Sequence, residues 1–258
     1  MNATDSFRLL YKALCLGDEA RVRALMAEGA DINVTNEWGW PLLLMLVEPI
    51  DSNSEAVHLC LKCGADPTRE WEQDYSLISE LVSQDCYKLL PRLLDEGFLS
   101  LDSADSHGRS ILMWYAISCD SFMAEKMLDR GASVHQRDKK GITAFAYGFD
   151  RLDTSLLERM LKEGADINER NAAGHTALMV LAQDTVDHRE RMRFFLEHGA
   201  DVNLRSPEGK TALGYACDTL AELRQTLCNT LREQQDRRQK EEWLEGMAAL
   251  LQSYGATR

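Results

Sequence analysis

Apolar and polar positions along the chain repeat as a pair of short helices about every 34 residues. In one copy, TALMVLA supplies a short apolar helix, and RMRFFLEHG supplies a second with Met192, Phe195 and Leu196 at helical spacing. The second helix ends at Gly199, where a left-handed C-cap suits a residue without a Cβ. An Asp-x-x-Gly sequence, as at Asp105, then favours a tight turn. The pattern predicts helix, turn, helix and a short hairpin.

Two short sequence motifs recur with the same period as the helix pairs. The phrase Gly-Ala-Asp-Ile/Val-Asn, or an altered form such as GADPT or GFLSL, follows each second helix, and its glycines are 35, 33, 34, 33, 35 and 56 residues apart. They are Gly29, Gly64, Gly97, Gly131, Gly164, Gly199 and Gly255. The second motif precedes each first helix, at Gly39, Asp74, Gly108, Gly141, Gly174 and Gly209. Because one such helix pair cannot bury its apolar face alone, the period predicts stacked supersecondary units.

The segments GHTALMVLA, GKTALGYA and GITAFAYG resemble the ankyrin repeat, whose pattern is Gly-x-Thr-Pro-Leu-His-x-Ala, a second helix and Gly-Ala-Asp-x-Asn. The resemblance extends from about Phe7 to Ala256. It implies an all-α ankyrin-repeat solenoid of stacked helix-turn-helix units with short hairpin loops, about seven helix pairs in all. The histidine of the motif is replaced throughout, by Leu44, Ser79, Met113, Ala146, Met179 and Gly214.

We expect one repeat domain over residues 1–258, with an N-terminal helix pair at 6–30 and repeats from about 34, 69, 103, 136, 169 and 204. The last repeat carries an insertion at about 218–241. Its leucines recur at helical spacing and predict an amphipathic helix. They are Leu220, Leu223, Leu227 and Leu231. This helix either caps the last repeat or binds a partner or a second copy.

Composition favours a cytoplasmic protein. The start of the chain lacks the basic flank and apolar core of an export signal, and the longest apolar run, Trp40 to Val47, is too short to span a bilayer. The seven cysteines are an odd number, and Cys15, Cys60 and Cys217 fall at core-like helix positions. Reduced thiols explain this better than disulfides.

The net charge of −13 argues against binding to nucleic acid or to an anionic membrane, since both reward a basic surface. The charge is uneven: residues 1–107 contain 8 basic and 19 acidic side chains, and residues 108–258 contain 21 and 23. The acidic half serves either solubility alone or the electrostatic attraction of a basic protein partner.

No sequence motif indicates catalysis. Cys60 and Cys63, with His58 nearby, have the spacing of a zinc or redox motif, but they end a second helix and no further ligands complete a site. No phosphate-binding loop or nucleophile elbow is present. We therefore expect core cysteines, no metal, no cofactor and no enzyme activity.

The hairpins and first helices, which in the ankyrin family form the concave binding face, carry unusual residues. An aromatic and acidic patch in the first repeats passes into a basic one, as in many protein interfaces. The candidate partner-binding residues are Glu37, Trp38, Trp40, Trp71, Glu72, Tyr75, His107, Arg109, Lys139, Lys140, Ile142 and Arg151. The aromatic side chains could instead fold onto neighbouring hairpins. Trp114, Tyr147 and Tyr215 occupy the apolar position of their first helices and are predicted to lie in the core.

These observations predict a chain that is monomeric alone and binds another protein, preferentially a basic one, as an adaptor or a stoichiometric inhibitor. A toxin-neutralising immunity protein is one form of such an inhibitor. The alternatives are a regulatory or catalytic component of an enzyme and a secreted effector that interacts with a host.

Overall fold

The computed structural model describes residues 3–47, 52–70, 75–225 and 231–257. They belong to two compact units, which we call the N-terminal unit and the C-terminal unit and which divide between Lys139 and Lys140. The described residues contain fourteen helices and two isolated β-bridges, Thr35 with Pro41 and Ala104 with Ser110. None of these helices has a stretch long and apolar enough to cross a membrane.

The helices alternate between first and second members of a pair, as the sequence predicts. Those of the N-terminal unit are α1 (Ala3–Cys15), α2 (Glu19–Ala27), α3 (Leu42–Met45), α4 (Ser54–Lys62), α5 (Leu77–Ser83), α6 (Leu89–Asp95), α7 (Ile111–Ile117) and α8 (Ser121–Asp129). Those of the C-terminal unit are α9 (Ala144–Gly148), α10 (Thr154–Lys162), α11 (Ala177–Gln183), α12 (Arg189–Glu197), α13 (Ala212–Gln225) and α14 (Leu231–Ser253). The all-α fold of about seven helix pairs is confirmed.

The Ser or Thr of the repeat motif begins the first helix by capping it. Ser76 Oγ accepts a hydrogen bond from the Ser79 backbone N–H (3.1 Å), and Thr143 Oγ1 accepts one from the Ala146 N–H (3.2 Å). Each satisfies a helix N–H that has no partner within its own helix, a contribution of about 1 kcal/mol. The second helices end where a residue adopts left-handed backbone geometry, as at Gly199 with φ of 87°.

The Asn of the repeated phrase links neighbouring repeats. Asn33 Oδ1 accepts a hydrogen bond from the Asp66 N–H (2.8 Å) in the N-terminal unit. In the C-terminal unit Asn168 Oδ1 accepts one from the Asp201 N–H at 2.8 Å. The repeated phrase is therefore a contact between repeats as well as a helix terminus.

The apolar residues at helical spacing form the cores of the two units. In the C-terminal unit Phe145 and Phe195 pack edge to face, with ring centroids 6.4 Å apart. In the N-terminal unit Leu77, Leu81 and Leu90 are fully buried between first and second helices. Side chains predicted from periodicity thus lie inside, and burial of each leucine contributes about 1.5–3 kcal/mol.

The insertion in the last repeat lengthens both helices of the final pair. α13 has 14 residues and α14 has 23, and the two pack against each other. Leu244, Met247 and Leu251 of α14 are fully buried, and Leu220 and Leu223 of α13 are half-buried. Leu227 lies outside the described residues. The insertion predicted at about 218–241 therefore supplies the last part of α13 and the first part of α14.

The cysteines divide into buried and exposed thiols. Cys60 and Cys63 are buried as predicted, and burial, with a smaller contribution from Cys63, raises the pKa of the Cys60 thiol to about 12. A thiol with so high a pKa is protonated at neutral pH and is a poor metal ligand. The prediction for Cys15 is wrong: it is the last residue of α1 and is exposed, while Cys217 is partly exposed.

Candidate functional site

The hairpins that precede the first helices are held by side chains at their first turn residue. Asn36 Oδ1 accepts hydrogen bonds from the backbone N–H groups of Trp38 (3.0 Å) and Trp40 (2.9 Å). Asn171 uses its Oδ1 in the same way in the C-terminal unit, accepting from residues 173 and 175. Such turns fix the hairpin tip before any partner arrives, which lowers the entropy cost of binding.

The first hairpin presents the aromatic residues that the sequence analysis selected. Trp38 is 70% exposed, and Glu37 beside it is also exposed. Trp40 is half-buried and packs against the Tyr75 ring, with centroids 5.3 Å apart, while Tyr75 remains 41% exposed. The alternative that the aromatic side chains fold onto neighbouring hairpins therefore holds for Trp40, whereas Trp38 is largely exposed. The other two candidates of this patch, Trp71 and Glu72, lie outside the described residues.

Arg109 is engaged within the protein. Its Nε donates to Asp105 Oδ2 (2.6 Å), and its guanidinium carbon lies 4.3 Å from the centroid of the Trp114 ring. Trp114 Nε1 donates to the same carboxylate oxygen at 3.1 Å. The Asp105 side chain is only 2% exposed, and its other oxygen accepts two hydrogen bonds from the backbone of the hairpin. This cluster stabilises the hairpin against α7.

The Trp114 prediction requires a correction. Trp114 and Tyr147 are half-buried and not core residues, whereas Tyr215 is 9% exposed. The Trp114 side chain donates to Asp105 and the Tyr215 hydroxyl to Glu208, each in its own hairpin, so this position of the first helix lies beside the hairpin. Helical periodicity identifies the position as inward-facing but does not distinguish a place beside the hairpin from one between the helices.

His107 and Lys139 bring two consecutive hairpins together. The Lys139 backbone N–H donates to the His107 carbonyl oxygen (2.8 Å), while the Lys139 side chain is exposed. One hairpin earlier, the Ser106 N–H donates to Glu70 Oε1 at 2.6 Å. We call Glu37, Trp38, Trp40, Tyr75, His107, Arg109 and Lys139 the hairpin surface of the N-terminal unit.

Three candidates belong to the C-terminal unit, and two of them do not fit the prediction. Lys140 is exposed on its hairpin, as expected. Ile142 is only 6% exposed, because it enters the core just before α9, so it offers no surface to a partner. Arg151 is exposed but follows α9, at the end of the helix that lies away from the hairpin.

A polar cluster around Tyr215 was not predicted. The Tyr215 hydroxyl donates to Glu208 Oε2 (2.8 Å) and lies 3.1 Å from His175 Nε2 and 2.9 Å from Ser206 Oγ. Hydrogen bonds from Ser206 and then Tyr215 are the main reasons that the pKa of Glu208 is lowered to about 2. Gln183 Nε2 lies 3.2 Å from the other ring nitrogen of His175.

Basic side chains flank this cluster. Lys210 Nζ lies 5.4 Å from the centroid of the Tyr215 ring and 2.8 Å from Asp218 Oδ2. Arg170 and Arg205 each donate to the carbonyl oxygen of the glycine in their own hairpin, at 2.6 Å. The sequence signal for these arginines is their shared place, directly before the first turn residue. The cationic groups near these hairpins are thus largely engaged in internal contacts.

Comparison with known proteins identifies the repeat. The family model described as ankyrin repeats, in three copies, matches residues 142–238. The ankyrin repeat domain of human ASB11 has the same fold, with a TM-score of 0.59 over 89% of this chain and 96% of that domain, at 15% identity. The chain has the ankyrin repeat fold, and residues 142–238 match the ankyrin repeat family.

Two curated relatives contain similar segments within longer chains. A mitochondrial disaggregase of Bos taurus is 29% identical over 142 residues, which are 54% of this ankyrin chain and 20% of the relative. The palmitoyltransferase AKR1 of Lachancea kluyveri is 32% identical over 95 residues, or 36% of this chain and 13% of the relative. The matches thus span about a fifth of the first relative and an eighth of the second.

Proposed function

We propose that this ankyrin repeat protein binds another protein through the hairpin surface of the N-terminal unit, with Trp38 at its centre. The observation that carries the proposal is a tryptophan that is 70% exposed on a turn whose backbone is fixed by Asn36. Tryptophan is the residue type most enriched among the residues that dominate binding energy. Its indole would enter a pocket of the partner with little loss of backbone entropy.

The charge of the chain supports a basic partner. Residues 1–107 contain 19 acidic and 8 basic side chains, and Glu37 is exposed next to Trp38. An acidic surface around an aromatic anchor accelerates association with a basic protein and disfavours acidic competitors. The proposed role is that of an adaptor or a stoichiometric inhibitor that covers the partner's own site. A toxin-neutralising immunity protein is a specific form of this role.

We propose binding without turnover. The polar clusters at Asp105 and at Tyr215 have most of their hydrogen-bonding groups joined to one another, as the distances above show. Such groups hold the hairpins in place and are poorly available as acids, bases or nucleophiles.

The second candidate function is that of a component of an enzyme. It is favoured by the names of the two relatives, a disaggregase and a palmitoyltransferase, of which the matched segments are small parts. In that case the hairpin surface would bind a partner or substrate protein for a catalytic part elsewhere. Turnover of a substrate by the purified chain alone would favour an enzyme role over the proposed one.

The proposal is tested by capturing partners with three forms of the tagged chain: the unmodified protein, Trp38→Ala and Phe122→Ala. Phe122 is a matched control because it is a similarly exposed aromatic residue, at 66%, but lies on the second helix α8. Captured proteins are identified by quantitative mass spectrometry, and each candidate is then purified and mixed with the three forms to measure binding directly.

The expected result is one protein that binds the unmodified chain and the Phe122→Ala form stoichiometrically and is lost from Trp38→Ala. Circular dichroism and melting temperature should be alike in the three forms. A purified partner that binds all three forms equally would contradict the proposed surface. A partner lost from both variants would place the interface elsewhere.

A further inference from the structure

The turns between first and second helices form another distinctive surface of the N-terminal unit. Two non-glycine residues of these turns have left-handed backbone geometry, Asp85 with φ of 55° and Cys119 with φ of 60°. Tyr87 is 44% exposed and Phe122 is 66% exposed beside them. The turns follow the C-terminal ends of α5 and α7, whereas the hairpins precede the N-terminal ends. We call Asp85, Tyr87 and Asp120 the turn edge.

Two carboxylates of the turn edge lie near one hydroxyl. Tyr87 donates a hydrogen bond to Asp85 Oδ1 (2.9 Å), and the charge of Asp120 also acts on the Tyr87 hydroxyl. These neighbours, the Asp85 hydrogen bond first, raise the pKa of Tyr87 to about 12. A phenol has one proton and cannot satisfy both carboxylates. Asp120 Oδ1 also accepts the Met123 N–H at the start of α8.

A buried hydroxyl lies close enough to these carboxylates for their charges to act on it. Tyr115 of α7 is 1% exposed, and its hydroxyl has no hydrogen-bond partner in the part of the chain that the structure describes. Burial, and after it the charge of Asp120 and the nearby Tyr87 and Asp85, raises its pKa. Leaving a buried hydroxyl without a partner costs stability. The Tyr115 hydroxyl therefore keeps unused hydrogen-bonding capacity near the turn edge.

We propose that the turn edge binds an arginine side chain of a basic protein segment. A guanidinium group has five N–H donors in a plane and no acceptor, which suits two carboxylates and a phenol oxygen. By displacing the Tyr87 hydroxyl from Asp85, it would also bring a donor toward the Tyr115 oxygen. The partly exposed ring of Tyr87 offers a face on which a guanidinium stacks.

The same geometry favours arginine over other cations. Lysine presents a point charge with three donors and does not bridge two carboxylates in a planar arrangement. The described residues contain no group of three or more Asp, Glu, His or Cys side chains that could hold a metal ion. The excess of acidic residues in 1–107 supports a basic segment as the occupant.

Peptide titration of the full-length, ¹⁵N-labelled chain tests this proposal. The probe is the blocked pentapeptide Gly-Arg-Gly-Arg-Gly, compared with Gly-Lys-Gly-Lys-Gly, and the readout is the amide chemical shift of each residue. The test variant is Asp85→Asn with Asp120→Asn. Asparagine tolerates left-handed geometry at position 85 and keeps the oxygen that caps α8 at position 120, so the variant should fold.

A matched control removes the same charge elsewhere in the N-terminal unit. Asp31→Asn with Asp102→Asn changes two exposed carboxylates on the hairpin side and raises the net charge equally. We expect the arginine peptide to shift amides of residues 85–88 and 119–123 and to bind about fivefold or more weakly to the test variant, with less than a twofold change in the control. The lysine peptide should bind at least about threefold more weakly than the arginine peptide.

The Tyr115→Phe variant distinguishes a role of the Tyr115 hydroxyl in peptide binding from a purely structural role. Because it removes a buried hydroxyl without a partner, we expect an unchanged or higher melting temperature together with weaker binding of the arginine peptide, by about two- to fivefold. Equal loss in the test and control variants, or equal binding of the two peptides, would overturn the proposal in favour of nonspecific charge attraction. Trp38→Ala should leave peptide binding unchanged. The test of the turn edge is therefore independent of the test of the hairpin surface, and failure of one proposal can be told from failure of the other.

Discussion

The two units use the same hairpin position in opposite ways. In the N-terminal unit the residue before the hairpin glycine is Trp38, which is 70% exposed. In the C-terminal unit the equivalent residue is Glu208, whose carboxylate accepts a hydrogen bond from Tyr215. Both hairpins are held by a polar side chain two residues earlier, Asn36 or Ser206. The ability to bind a partner therefore depends on which side chains the internal contacts leave exposed.

Residue type alone would select a different binding surface. Arg109 and Trp114 are of the kinds most often found at the centre of interfaces, yet they contact each other and share the Asp105 carboxylate. Trp38 differs in its surroundings: its hairpin backbone is fixed by Asn36, and its ring is left largely in solvent. The following predictions test this difference, from the largest expected effect to the smallest.

Removal of Asp105 should have the largest effect. Asp105→Ala leaves the Arg109 guanidinium and the Trp114 indole without their shared acceptor and removes two hydrogen bonds to the hairpin backbone. We expect the free energy of unfolding to fall by about 3–5 kcal/mol. Urea denaturation followed by circular dichroism measures this. A loss below about 1 kcal/mol, the usual value for an exposed ion pair, would show that the cluster does not hold the hairpin.

Removal of the Trp38 indole should affect binding and spare stability. Trp38→Ala should weaken binding of the purified partner by about 2 kcal/mol or more, roughly 30-fold, because an interface anchor is lost. Isothermal titration calorimetry gives the affinity, with Phe122→Ala as the control. Thermal denaturation of the free chain should be nearly unchanged. A large fall in melting temperature with intact affinity would make Trp38 a structural residue.

Removal of the Tyr215 hydroxyl should have a moderate effect on stability. Tyr215→Phe keeps the ring against His175 and loses the hydrogen bond to Glu208. We expect a loss of about 0.5–1.5 kcal/mol in the free energy of unfolding. Partner affinity should be unchanged, since the cluster belongs to the hairpins that are internally engaged. Weakened affinity in a variant of normal stability would place the binding surface in the C-terminal unit.

Replacement of the Glu208 carboxylate should have the smallest effect on stability, and the effect should be visible only at acidic pH. Its pKa in the folded chain is about 2, below the ordinary value of 4.5, so its contribution is complete above pH 4.5 and is lost as the pH falls toward 2. Between these values the stability of the unmodified chain should decline more steeply than that of Glu208→Gln. Chemical denaturation at several pH values compares the two slopes. Parallel slopes would mean that the hydrogen bonds to Glu208 are not maintained in solution.

The sequence predicts the repeat and its contacts better than it predicts exposure. The glycine-containing phrase marks the end of each second helix, and its Asn makes the hydrogen bond between repeats. Periodicity alone does not show that Ile142 enters the core or that Arg151 lies beyond α9. It also fails for Trp114, because this position of the first helix lies beside the hairpin, where the ring contacts Arg109 and remains half-buried. Exposure at such positions depends on contacts between hairpins, which a single repeat does not encode.

The central claim is that the N-terminal hairpin surface contacts a partner protein. Amide hydrogen exchange, resolved by peptide and measured on the chain alone and in the reconstituted complex, tests it most directly. The account predicts slower exchange in the complex at residues 36–40, which include Trp38 and the turn held by Asn36, and no change at residues 206–210 around Glu208. Unchanged exchange at 36–40 together with protection at 206–210 would contradict it.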